Sequence, residues 1–162
     1  MNDALHDFGA HAGRLLAARG DTIAVAEGSA GGLVSAGLLS VAGASAYYVG
    51  GTVIYTMAAN RELFGGVVEA PPGMRGATEE FPRYLAESSV AKLGTTWGLG
   101  EAGAAGPPNR YGDPAGDAWV AVAGPVAATR HVLTGLDDRA ANMDAFAEAA
   151  LALLVETLEG LV

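Results

Sequence analysis

No cysteine occurs among the 162 residues, which excludes disulfides, thiolate nucleophiles and zinc sites built on Cys. Basic residues are scarce, 9 against 18 acidic ones, for a formal charge of -9. A surface of that sign repels a phosphate backbone, so nucleic acid is not an expected partner. Lysine is reduced to Lys92 alone. No stretch supplies the roughly 20 uninterrupted apolar residues of a membrane span. The N-terminal segment MNDALHDFGAHAGRLLAARG lacks the basic head, apolar run and cleavage pattern of a leader. No membrane partner and a cytoplasmic location are the default expectations.

What the chain does have is small and apolar. Apolar residues make up 51% and glycine supplies 24 positions, enough for one core with closely packed elements. No repeat, low-complexity tract or linker divides the chain, so residues 1–162 read as a single domain.

Leu5, Phe8, Ala12, Leu15 and Ala18 recur at helical spacing between Asn2/Asp3 and Gly20, the start and stop signals of an amphipathic helix. The short apolar run Thr22 to Ala26 suits a buried strand, and Ser29 to Val41 a helix. A strand is expected at Thr52 to Thr56 after a break at Gly50-Gly51, then a short helix over residues 58–65 and a surface loop over Val67 to Ala77. A helix opening at Thr78 ends before Gly94. The segment TWGLGEA reads as a glycine-rich strand, and AWVAVAGPV with ATRHVLTG reads as a hairpin. Met143, Ala147, Ala150, Leu154, Leu158 and Leu161 mark a closing helix. Strands alternating with helices, plus one hairpin, predict a layered α/β domain with a mixed sheet.

In such a fold, ligands collect where a strand turns into a helix, because backbone N–H groups are free there. Glu27-Gly28-Ser29-Ala30-Gly31-Gly32 occupies that place. Ser29 reads first as a helix cap, although the glycines permit close approach of a ligand to the backbone. Neither the Walker nor the dinucleotide spacing is met. His6, His11 and His131 are scattered and offer neither a base for Ser29 nor a metal site. Neither a metal nor a cofactor is called for.

The blocks AVAEGSAGGLVSAGLLSVAGAS, GGTVIYTMAANRELFG, GEAGAAGPP with PAGDAWVAV, and GLDDR, in this order, resemble the C-terminal domain of the competence-damage-inducible protein CinA, the nicotinamide-nucleotide amidase family. The resemblance implies a three-layer α/β/α domain with a mixed sheet, self-association as a homo-oligomer, and hydrolysis of the carboxamide of nicotinamide mononucleotide. It also exposes departures. The family's nucleophilic serine falls on Gly28, its lysine base falls on Asn60, five residues after Tyr55, and the threonine of its first block falls on Ala30. The third block keeps Gly103 and Gly106 but has Ala102 at the usual hydroxyl. Arg139 matches one customary arginine, while Met143 stands at the other.

Gly28 has no side chain and Asn60 cannot accept a proton, so covalent amide chemistry through those positions is expected to be impaired. Three functions follow. One is a pseudoenzyme that keeps a pocket for a nucleotide-like or other anionic small molecule. That anion would meet the N–H groups of Gly28 to Gly32, with Arg61, Arg110 or Arg139 adding charge and Tyr55 packing against it. The second is an amidohydrolase rebuilt on Ser29, assisted by Glu27 or Tyr55. The third is a non-catalytic structural or regulatory assembly protein.

Overall fold

The computed structural model describes residues 1–161. Asn2 accepts the Leu5 N–H at 2.9 Å and Gly20 closes the last turn at φ +68°, so helix α1 spans Asp3–Arg19, as its periodicity predicts. Strand β1, Ile23–Glu27, is buried at every position. Gly31 and Gly32 then take φ +66° and +102°, values that keep them out of a helix. Helix α2 therefore begins at Leu33 rather than Ser29 and ends at Leu39.

A single 3-10 turn, Ala44–Ala46, leads into β2, Tyr48–Val53. This strand lies earlier than expected and runs through Gly50-Gly51. A Cβ on Gly51 would stand 2.7 Å from Ser35 Oγ and 3.3 Å from the Val25 carbonyl oxygen. The glycines there let neighbours close on the strand rather than breaking it.

Helix α3, Met57–Phe64, is capped by Thr56, and α4 spans Glu80–Leu93. Thr78 does not cap α4: its hydroxyl bonds the Arg75 carbonyl at 2.7 Å, inside the preceding loop. Strand β3, Trp97–Ala104, is followed by the expected hairpin of β4, Asp117–Ala123, and β5, Ala128–Leu133. Asp138 caps α5, Arg139–Glu159, which stops short of Leu161.

The five strands form one sheet in the order β2-β1-β3-β4-β5. β1 pairs parallel with both β2 and β3, whereas β3–β4 and β4–β5 are antiparallel. Helices α2 and α5 lie on one face with α1 against both, and α3 and α4 cover the other. The larger core, including Leu16, Leu38, Trp97, Leu99, Val120, Phe146 and Leu154, fills the first interface. A smaller one, including Ala26, Ile54, Phe64, Tyr84 and Leu85, fills the second. This is the three-layer α/β/α domain with a mixed sheet.

Two details position the site. The chain leaves β1 for β2 on one side and returns through α3 and α4 to β3 on the other, so the connections part at the C-terminal ends of β1 and β3, where an open sheet forms its crevice. Below it, α4 sits directly on β3. Cβ atoms on Gly98 and Gly100 would overlap the carbonyl oxygens of Ala86 and Pro82, so these two layers meet backbone on backbone.

Candidate functional site

At the end of β1 two carboxylates stand side by side, because Glu27 and Glu101 are register partners across parallel strands. Both side chains are buried, at 0% and 1% exposure. Glu27 turns toward α2. Its Oε1 accepts the N–H groups of Gly32 at 2.8 Å and Val34 at 3.1 Å, and its Oε2 accepts that of Ser35 at 2.9 Å. It thus satisfies the orphan donors of a helix N-terminus, where negative charge is favoured.

Glu101 takes the other donors of the turn. Its Oε2 accepts the Gly28 N–H at 3.0 Å and the Ala30 N–H at 2.8 Å, while Ser29 Oγ donates to Oε1. Burial pushes the Glu101 carboxyl up to about 7, with the Glu27 charge adding to the rise and the three hydrogen bonds opposing it.

These contacts correct the sequence reading in two ways. Ser29 does not cap α2, whose N-terminus belongs to Gly32 and the Glu27 carboxylate. Nor do most of the turn's amides wait for a ligand anion: Gly28 and Ala30 bond Glu101, Gly31 bonds the Gly28 carbonyl at 3.1 Å, and Gly32 bonds Glu27, which leaves the Ser29 N–H alone of the five. The anion of this turn is the protein's own glutamate.

The crevice in front of the turn has two lobes. The larger, about 440 Å³, is lined among others by Ser29, Tyr55, Phe81, Arg75, Asn109 and Tyr111. The smaller, about 250 Å³, runs past Ser29, Tyr55, Gly103, Gly106 and Asn109 to Arg139. At that end Arg139 donates to the Gly106 carbonyl and, at 3.0 Å, to the Tyr55 hydroxyl. The Arg139 guanidinium therefore meets only neutral acceptors and has no carboxylate within ion-pair distance among the described residues.

Gly28, Ser29, Tyr55, Gly103, Gly106 and Arg139 are thus brought together around one crevice. Glu27, Ala30, Gly31 and Gly32 lie behind it and line neither lobe. Asn60 is likewise outside: it is 4% exposed, its Nδ2 stands 3.4 Å from the Tyr84 hydroxyl, and its Oδ1 has no partner. Of the three arginines considered, Arg110 and Arg139 face the crevice and Arg61 does not.

Sequence reasoning missed Glu101, although a signal existed. In WGLGEAGA, Trp97 and Leu99 alternate into the larger core, so the same period places Glu101 on that face, where an acid needs donors. It also missed Arg75, Asn109 and Tyr111, which come from loops. Among the described residues no group of three or more His, Asp or Glu side chains is placed to hold a metal, and no helix is long and apolar enough to cross a membrane.

Fold and crevice together define a three-layer α/β/α domain with a cleft at the switch point of its sheet. Residues 6–158 match the CinA C-terminal domain, and the chain belongs to that family. A CinA-like protein of Salinibacter ruber is 40% identical over 143 residues, covering 86% of this chain and 34% of the relative. One of Chlorobium phaeobacteroides is 34% identical over 153 residues, covering 91% and 36%. The chain spans about a third of the length of these relatives. Among solved structures, a CinA superfamily protein from Klebsiella pneumoniae 700603 superposes with a TM-score of 0.87 at 25% identity, covering 99% of each chain. A competence damage-inducible protein A from Klebsiella pneumoniae subsp. pneumoniae MGH 78578 gives 0.87 at 27% identity, covering 96% of this chain and 97% of its own.

Proposed function

We propose that this CinA C-terminal domain binds a nucleotide-like anionic small molecule in the crevice and is impaired in the amide hydrolysis that the family resemblance implies. One observation carries the reading. The Tyr55–Arg139–Gly106 cluster keeps an uncompensated cation at the crevice end, while Gly28 offers no nucleophile and Asn60 is buried away from it. The anion then meets arginine rather than the glycine turn, four of whose five amides already bond within the protein.

The test is a melt with nicotinamide mononucleotide, alongside ammonia release. Ligand at a hundred times its Kd stabilises by about 2.7 kcal/mol, roughly 5–10 °C for a chain of this size. No shift across a panel of nucleoside monophosphates would overturn the binding reading.

A second reading has an observation of its own. Ser29 lines both lobes while donating to Glu101, and a carboxyl near 7 is poised to take a proton at neutral pH. In this reading Glu101, not Glu27 or Tyr55, assists Ser29 in a rebuilt amidohydrolase. Ammonia release abolished by Ser29→Ala and by Glu101→Gln supports it; no turnover at high protein concentration rejects it.

Self-association is proposed on the same footing as binding. Val49 and Val53 are exposed on edge strand β2, and light scattering of the purified chain distinguishes an oligomer from a monomer.

A further inference from the structure

The outer wall of the crevice is made by two loops, residues 65–79 between α3 and α4 and residues 105–116 between β3 and β4. Segments of this kind are held only by what their polar groups find. Here much of the holding converges on one atom. Asp113 Oδ2 accepts from Arg75 Nη1 at 3.1 Å and from the Ala77 N–H at 3.2 Å in the first loop, and from Asn109 Nδ2 at 2.8 Å in the second.

Asn109 is held from its other end too. Its Oδ1 accepts the N–H groups of Tyr111 at 3.0 Å and Asp113 at 3.1 Å, and its own N–H donates to the Asp113 carbonyl at 3.1 Å. The loops can meet this closely because residue 76 is glycine: a Cβ there would stand 2.8 Å from Asn109 Nδ2 and 3.0 Å from Asp113 Oδ2. The Arg75 guanidinium, once paired, lies 5.0 Å from the Tyr111 ring centroid, within cation–π range.

We propose that Asp113 is the positioning residue of the crevice, a single carboxylate that latches the two loops and sets where Arg75 and Asn109 stand for an incoming ligand. The proposal rests on the binding reading above for its ligand, but the latch itself has an independent readout. Asp113 is not among the crevice-lining residues, whereas Arg75, Gly76, Asn109 and Tyr111 are. It acts on a ligand only through them. Its charge offsets that of Arg75, while Arg110, whose guanidinium also lies over the Tyr111 ring at 4.9 Å, has no carboxylate within ion-pair distance among the described residues. The uncompensated Arg139 stands in the other lobe. Burial alone would raise the Asp113 carboxyl, but the hydrogen bonds from Asn109 and Ala77 and the charge of Arg75 outweigh it and hold it below the usual range. The latch is therefore ionised at neutral pH.

The test compares the full chain with Asp113→Asn, Arg75→Ala and the double variant, using amide hydrogen exchange and binding of nicotinamide mononucleotide. Asp113→Asn keeps the shape but drops the charge. Expected is at least tenfold faster exchange at the amides of Ala77, Tyr111 and Asp113, with β3 and α4 unchanged. The Kd should rise about tenfold, and the double variant should be no worse than the weaker single one, as for residues acting as a unit. Gly76→Ala, which forces the loops apart from another position, should reproduce the exchange pattern.

Unchanged exchange in these loops, or additive losses in binding, would overturn the proposal. If the wild-type chain binds no nucleotide but Asp113→Asn frees both loops, the latch stands and the binding reading fails. If exchange accelerates throughout the domain, Asp113 is a general stabiliser and the proposal is lost.

Discussion

Replacing Glu101 by glutamine should make this domain more stable at alkaline pH. The carboxyl sits near 7 in the folded chain against an ordinary value of 4.5. A raised carboxyl means that the native state binds the proton more tightly than the unfolded chain does. Its contribution to stability is fully present below about 4.5 and is lost as pH rises through about 7. At 1.36 kcal/mol per unit, the whole loss is about 3 kcal/mol by pH 8.5.

Glutamine has the shape of the protonated acid. Its oxygen can accept the Gly28 and Ala30 N–H groups, as Oε2 does now, and its amide nitrogen can donate to Ser29 Oγ in place of Oε1. No hydrogen bond need be lost, and the charge is gone. Urea denaturation of both proteins at pH 5, 6, 7 and 8.5 measures the effect. The variant's advantage should be small at pH 5 and should widen to about 3 kcal/mol at pH 8.5, some 6–12 °C in Tm. If the two stability curves run parallel, or if the variant is the weaker protein at pH 8.5, the reasoning fails: the turn's donors would then hold the carboxylate ionised against its burial.

Other variants test the frame of the site. Gly100→Ala drives a Cβ into the Pro82 carbonyl and should cost about 3 kcal/mol or more, seen as a lowered Tm. A cost under about 1 kcal/mol would mean that α4 can slide on β3. Glu27→Ala leaves three N–H groups at the start of α2 without their acceptor and should cost about 3 kcal/mol, whereas Glu27→Gln should lose less. Equal melting temperatures for these two would refute the capping role.

Much of the fold was legible because it is written in periodicity. The apolar spacing and end signals of α1 and the hairpin of β4 and β5 follow from local rules alone, and the structure places them as expected. Tertiary contacts moved the rest. Gly50-Gly51 looks like a break, yet in the sheet it is the place where Ser35 and the Val25 carbonyl come close. Ser29 looks like a cap, yet the positive φ of Gly31 and Gly32 delays the helix and leaves Ser29 facing Glu101.

For the candidate site, the blocks that carry the family resemblance located the crevice, including Tyr55, Gly106 and Arg139. One of them contains Glu101 without marking it out, because its importance depends on which strand lies beside β1. They could not supply Arg75 and Asn109, which come from loops separated in sequence and joined through Asp113. Long-range polar contacts leave no local pattern, and only the unexpected acid within a glycine-rich strand hints at one of them.

The contact of α4 with β3 through Gly98 and Gly100 has a consequence for how such a domain diversifies. Where two main chains touch, no side chain remains to be exchanged, so the seam between these layers is closed to gradual adjustment. Variation is left to the rim, where Arg75, Asn109 and Tyr111 reside on loops that can change in length and composition without disturbing the layers beneath. A nucleophile can vanish from such a platform, and a different molecule can be accommodated on it, while the architecture stays the same.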